Sequence, residues 1–172
     1  MKRSLVLVGL SGAGKTSVGQ TAAERLGSAC IDIDAAIEAR EGLAITAFFH
    51  SRGEAAFRTL ERALVEEAVG GAPCVVVPGG GWAAQPGNLA SVRGSACVVW
   101  LTVDPPEAAR RLSAAGDRPL LTKQDPVQAL RGQLEERESF YELAEGRCAT
   151  DGRSVSEVAD AVVALARRLA GW

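Results

Sequence analysis

A chain of 172 residues, 47% apolar and 23% charged, is long enough to bury one substantial core and is too apolar for a disordered segment. Its longest apolar runs, such as CVVWL at 97–101, fall far short of the roughly 20 residues that span a bilayer, and a formal charge of −2 offers no basic field to a nucleic-acid polymer. Cys30, Cys74, Cys97 and Cys148 lack CxxC spacing and sit in apolar stretches, as small core residues of a reducing compartment do. The expectation is therefore a cytoplasmic protein without a nucleic-acid or membrane partner, its N-terminal apolar segment a buried strand rather than a cleaved leader.

Short apolar runs at 4–9, 29–33, 73–78, 96–103 and 147–150 alternate with helical patterns at 15–26, 34–40, 44–50, 53–69, 85–92, 105–114, 124–144 and 154–170. This alternation predicts an α/β domain spanning 1–172, a parallel sheet flanked by helices. The first strand runs directly into GLSGAGKTSVG (9–19), where Gly9, Gly14, Lys15 and Thr16 satisfy GxxxxGK[ST] between a strand and a helix. Such a loop binds a nucleoside triphosphate with Mg²⁺. Backbone amides around Gly12, Ala13, Gly14 and Ser17 would cradle phosphates, Lys15 would reach the β and γ oxygens, and the Thr16 hydroxyl would face the metal.

At the end of the second strand, Asp32 and Asp34 in CIDID are two apart and would share one face of a strand. Two neighbouring carboxylates favour a cation or ligand between them, with Asp32 towards a Mg²⁺-bound water and Asp34 towards a substrate hydroxyl, unless one merely caps the next helix. On the helix from Gly53, Arg58 and Glu61 share a face beside Phe49 and Phe57. That pair reads either as a seat for a small ring-bearing carboxylate or as an ordinary surface ion pair.

The third strand ends in PGGGW, where Gly79, Gly80 and Gly81 weaken a strand unless backbone must approach something closely. Trp82 either packs under the sheet edge or reshapes that approach. Residues 113–126, punctuated by glycine and proline between two helices, read as a mobile lid carrying Arg118, and Arg137 follows on the next helix. The final helix shows an apolar face of Val155, Val158, Ala159, Val162, Val163, Leu165, Ala166 and Leu169.

The order GLSGAGKT, DID, GEAAFRTLE, GGG, RPLL and an arginine before ESFY resembles the shikimate kinases over residues from about 4 to 155. The resemblance implies a three-layer P-loop NTPase fold with a five-stranded parallel sheet in order 2-3-1-4-5. It also implies a substrate-binding segment at about 33–61 and a lid at about 112–125. The implied reaction is transfer of the ATP γ-phosphoryl to the 3-hydroxyl of shikimate, on the route to chorismate and the aromatic amino acids.

By motif position, Asp34 would hold substrate hydroxyls and accept the proton, while Arg58, Arg137 and Gly79, Gly80 and Gly81 would grip the carboxylate and ring. Arg118 and Lys15 would neutralise the transferring phosphoryl, Arg111 and Arg153 would flank the adenine, and the enzyme would be a monomer. Trp82 departs from the small residue usual after the glycine triplet. The alternatives are a sister kinase acting on gluconate and a nucleotide-binding module without catalysis.

Overall fold

The protein is described by a computed structural model over residues 1–116 and 125–172. Five strands, β1 (Ser4–Val8), β2 (Cys30–Asp32), β3 (Val75–Val77), β4 (Ala96–Thr102) and β5 (Gly146–Ala149), form one sheet. Every neighbouring pair is parallel and the spatial order is β2-β3-β1-β4-β5, the order that the resemblance implied. β1 is an unbroken apolar run because a central parallel strand is covered on both faces. The loops after β1, β2 and β3 therefore leave from the same carboxyl edge, where ligands of open α/β sheets gather.

Strand alternation sorts the core into two layers. Leu5, Leu7, Val77, Val99 and Leu101 face α1 (Lys15–Leu26), α5 (Pro105–Ala114) and α7 (Val155–Leu169). Val6, Val8, Val76, Val98 and Trp100 face α2 (Ile33–Glu41), α3 (Ile45–Gly70) and the C-terminal end of α6 (Pro126–Tyr141). The capping box of Ser154 with Glu157 starts α7, and Val158, Ala159, Val162, Val163 and Ala166 bury its apolar face. Val155 does not join them: it is 43% exposed at the rim of the main cleft.

Two further expectations are corrected. β2 stops at Asp32 because the Asp32 side chain accepts from the Ala35 amide at 3.1 Å and caps α2. Asp34 thus belongs to the first turn of a helix, not to a strand face shared with Asp32. The two helices expected at 44–50 and 53–69 are both present, as the two segments of α3 that meet at a kink where Gly53 has φ 80° and ψ 172°. The helix expected at 85–92 shrinks to α4 (Asn88–Ser91), since the stretch before it is a chain of turns around Pro86 and Gly87. No described helix is long and apolar enough to cross a membrane.

Candidate active site

A cleft of about 790 Å³ opens along the carboxyl edge, bounded by the loop Ser11–Val18, by Asp32 and Asp34, by Gly79 and Gly80, and by Arg110, Arg111 and Arg153. The loop turns tightly because Gly12 and Gly14 have φ of 82° and 84°. At Gly12 a Cβ would also stand 2.7 Å from the Ala108 carbonyl oxygen of α5, so only a bare backbone fits. Gly14 caps α1 without a side chain over the first-turn amides, which leaves the positive end of the helix facing the cleft.

Lys15 lies along this loop, 9% exposed, its Nζ donating to the carbonyls of Gly9 at 2.8 Å and Leu10 at 2.9 Å. Burial lowers its pKa from 10.5 to about 8, the nearby Asp34 carboxylate opposing the fall. Between those two values the unfolded chain binds more protons than the native one, so this group makes stability rise with pH across that window. Phosphate oxygens at Nζ would restore the ammonium. ATP binding at about pH 9 is therefore expected to take up most of a proton, and near pH 7 almost none. Calorimetric titration in two buffers of different ionisation enthalpy measures that uptake directly.

The Thr16 hydroxyl donates to Asp32 Oδ2 at 2.7 Å, while Asp32 Oδ1 is engaged at the helix cap. Asp32 thus caps α2 through one oxygen and meets the Thr16 hydroxyl through the other. The described residues contain no cluster of three or more metal-ligating side chains. A single hydroxyl with one adjacent carboxylate suits Mg²⁺, which keeps waters and takes phosphate oxygens rather than entering an all-protein cage.

The glycine triplet forms a bare ridge beside this loop. A Cβ at Gly79 would stand 2.7 Å from Glu61 Oε1 and 3.6 Å from Asp34 Oδ1. At Gly80 it would meet the Gly9 carbonyl oxygen at 3.2 Å and Arg137 Nη1 at 3.4 Å. At Gly81 it would meet Arg58 Nη2 at 2.6 Å. The ridge thus gathers Asp34, Arg137, Arg58 and the phosphate loop around three residues without side chains.

Arg58 is held by Glu61 Oε2 at 2.7 Å and by Glu54 Oε1 at 3.4 Å, and its guanidinium lies over the Phe57 ring at 5.3 Å. Glu61 is fully buried and also accepts from the Gly79 amide at 3.0 Å. The Arg58–Glu61 pair is therefore no surface ion pair. Burial raises the Glu61 pKa, and the hydrogen bond from Arg58 restrains the rise. Burial also raises that of Asp34, with Asp32 adding to the rise and Lys15 and Arg58 opposing it.

Among the described residues, the buried side-chain polar atoms left without a hydrogen bond are Asp34 Oδ1, Arg58 Nε and Trp82 Nε1. One acceptor and one donor thus stand unfilled at the two ends of the glycine ridge. Trp82 is completely buried and packs in the same core layer as Phe48 and Phe57.

Gly81→Ala is expected to displace the Arg58 head group while the fold stays intact, because the clash falls on the end of a flexible side chain. Affinity for an anionic acceptor should fall roughly tenfold, and the melting temperature should fall less than in Arg58→Ala, because the guanidinium is shifted from Glu61 and not removed. Calorimetry and thermal denaturation of the variant check both.

At the other end of the cleft, Arg111 donates to the Gly12 carbonyl at 3.3 Å, to Thr150 Oγ1 at 3.1 Å and O at 2.9 Å, and to Glu107 at 2.8 Å. Glu107, held down to about 2 by Arg110 and Arg111, keeps that guanidinium in one pose. Arg153 donates to the carbonyls of Ala149 at 3.1 Å and Glu157 at 2.9 Å and lines the same wall. Two planar cations on one rim suit an aromatic base. Glu107, Arg110 and Thr150 were missed from sequence; Thr150 carried a usable signal, lying just past the carboxyl end of β5. Ser17 lines the cleft as expected. Arg118 and residues 117–124 of the expected lid lie outside the described residues.

A family model described as shikimate kinase matches residues 11–167. A shikimate kinase of Caldanaerobacter subterraneus subsp. tengcongensis is 35% identical over 169 residues, 98% of this chain and 99% of that one. The solved structure of shikimate kinase from Acinetobacter baumannii in complex with shikimate matches with a TM-score of 0.88 at 32% identity, covering 98% of this chain and 96% of that chain. A gluconokinase from Sinorhizobium meliloti matches with a TM-score of 0.65 at 22% identity, over 99% of this chain and 94% of that chain, a likeness of fold alone.

Proposed function

The chain belongs to the shikimate kinase family, and we propose on that premise that its cleft transfers the γ-phosphoryl of ATP to the 3-hydroxyl of shikimate. The observation that carries this reading is the glycine ridge with an unfilled carboxylate oxygen of Asp34 at one end and an unfilled guanidinium nitrogen of Arg58 at the other. A ring with hydroxyls on one side and a carboxylate on the other would turn its hydroxyls to Asp34 and its carboxylate to Arg58 across Gly79, Gly80 and Gly81. Arg137 approaches the same ridge and adds a second cation for the carboxylate.

The acceptor hydroxyl then points from Asp34 towards the phosphate loop. Asp34, its pKa raised by burial, accepts the proton as the new bond to phosphorus forms. Phosphoryl transfer passes through a loose transition state, so positioning and charge stabilisation supply most of the rate. Lys15 leaves the Gly9 and Leu10 carbonyls for the β and γ oxygens. Arg111 and Arg153 flank the adenine, and the amides from Gly12 to Ser17 hold the phosphates.

Mg²⁺, when bound beside the Thr16 hydroxyl, neutralises charge on those oxygens. Asp32 would hold it through a water. The family resemblance alone assigns Arg118 to the transferring phosphoryl, 33–61 to substrate binding and 112–125 to the lid. The family resemblance and the composition support a cytoplasmic monomer acting on a small molecule.

ADP release, followed by a coupled assay with shikimate, with gluconate and with no acceptor, tests the function. Release is expected to depend on shikimate. Turnover of gluconate but not shikimate would transfer the site to a sister kinase. ATP binding without turnover in every arm would make the chain a binding module.

A further inference from the structure

We infer that Tyr141 is a positioning residue for the acceptor, acting through the Gly80 carbonyl; this rests on reading Gly79 to Gly81 as the acceptor ridge. The ridge is closed by the Trp82 amide, which donates to the Gly79 carbonyl at 3.1 Å, and three of its other backbone groups are tied by side chains. Glu61 takes the Gly79 amide at 3.0 Å, the Tyr141 hydroxyl donates to the Gly80 carbonyl at 2.6 Å, and Gln85 donates to the Gly81 carbonyl at 3.2 Å. The middle tie matters most, because Gly80 sits against the phosphate loop, where a Cβ would come within 3.2 Å of the Gly9 oxygen and 3.4 Å of the Ser11 nitrogen. With glycine on both sides, no Cβ opposes rotation of the peptide that joins Gly80 to Gly81. The hydrogen bond from Tyr141 is what holds its carbonyl in one direction.

Tyr141 is itself firmly placed. Its ring packs on Trp100 with centroids 5.6 Å apart, and the Arg147 guanidinium lies over the Trp100 ring at 4.4 Å. Trp100 is paired in register with Val8, the residue that leads into the phosphate loop. Tyr141 also lies one turn beyond Arg137 on the same face of α6, so that one helix reaches Gly80 through two side chains, a cation and a hydroxyl. Burial raises the phenol pKa, which keeps the hydroxyl a donor. The geometry relates the Arg137 head group, the Gly80 backbone and the loop end of β1 to one another, and a carboxylate held by Arg137 inherits that register.

Tyr141→Phe keeps the ring packing and removes only the hydroxyl. In the full chain it is expected to raise the shikimate KM roughly tenfold and to leave the ATP KM and the melting temperature close to wild type. A purely structural hydroxyl would move the melting temperature, or both KM values together. The inference is overturned by a shikimate KM equal to wild type, or by an ATP KM that rises in step with it. The variant Tyr141→Phe/Arg137→Lys adds a second check, since groups acting on one glycine should lose less together than the sum of their separate losses. Full additivity would contradict the shared route through Gly80. A wild-type enzyme that does not turn over shikimate would instead remove the underlying reading, and the inference with it.

Discussion

Lys15→Met is expected to lower kcat by roughly 10²–10³-fold while the protein folds as before. The methionine side chain retraces the aliphatic part of lysine and lacks its charge and its N–H donors. In the free enzyme that charge is buried, its pKa pulled down to about 8, and it rests on two loop carbonyls. Removing it relieves a desolvation cost in the ground state but takes a donor from the Gly9 and Leu10 carbonyls, so the melting temperature of the nucleotide-free protein should change little. The loss falls on the transition state, where negative charge shifts on the phosphoryl oxygens and no other described lysine is at hand. Steady-state kinetics with thermal denaturation separates the two effects. A near-wild-type kcat would refute the assignment of the loop.

Arg58→Ala is expected to lower kcat/KM for shikimate by roughly 10²–10³-fold with ATP affinity retained, because the charge-assisted contact to the acceptor carboxylate is lost. It carries a stability cost that Lys15→Met does not. Glu61 is fully buried, and Arg58 supplies the cation that restrains its raised pKa. Without that cation the carboxylate remains buried beside only the Gly79 amide, and the fold should lose about 2–4 kcal/mol or take up a proton instead.

Adding Glu61→Gln tests the separation of the two effects. The amide oxygen still accepts from Gly79 without a charge to bury, so the double variant should regain stability but not turnover. Recovery of both would reduce Arg58 to a structural partner of Glu61. Collapse of ATP affinity in Arg58→Ala would show that α3 serves the donor rather than the acceptor.

The donor half of the site was legible because its chemistry is written in contiguous residues. Gly9 to Thr16 lie in one turn, and a strand before with a helix after suffices to orient them. The order of the strands followed from the family resemblance, not from the pattern of apolar runs. Asp34 was misplaced for a local reason: alternation along CIDID suggests a strand, but the Asp32 side chain accepts from the Ala35 amide and turns the chain into α2 one residue early.

Arg58 and Glu61 were visible as a pair three residues apart, yet only burial decides between a surface ion pair and a site, and spacing on one helix does not report burial. The same holds for Trp82, whose complete burial depends on residues from α3 and the sheet. What ties the glycine ridge was out of reach. Glu61 bonds Gly79 across 18 residues and Tyr141 bonds Gly80 across 61, and neither pairing leaves a mark in local sequence. Arg111 likewise reaches Gly12 across 99 residues.

Phosphorus NMR of the reaction of the enzyme with ATP and shikimate tests the proposed transfer most directly, because it identifies the product as well as the turnover. The expected result is one new phosphomonoester signal coupled to the ring proton at the 3-position, growing in step with ADP. ADP accompanied only by inorganic phosphate, or a phosphomonoester at another hydroxyl, would contradict the placement of the acceptor between Asp34 and Arg58.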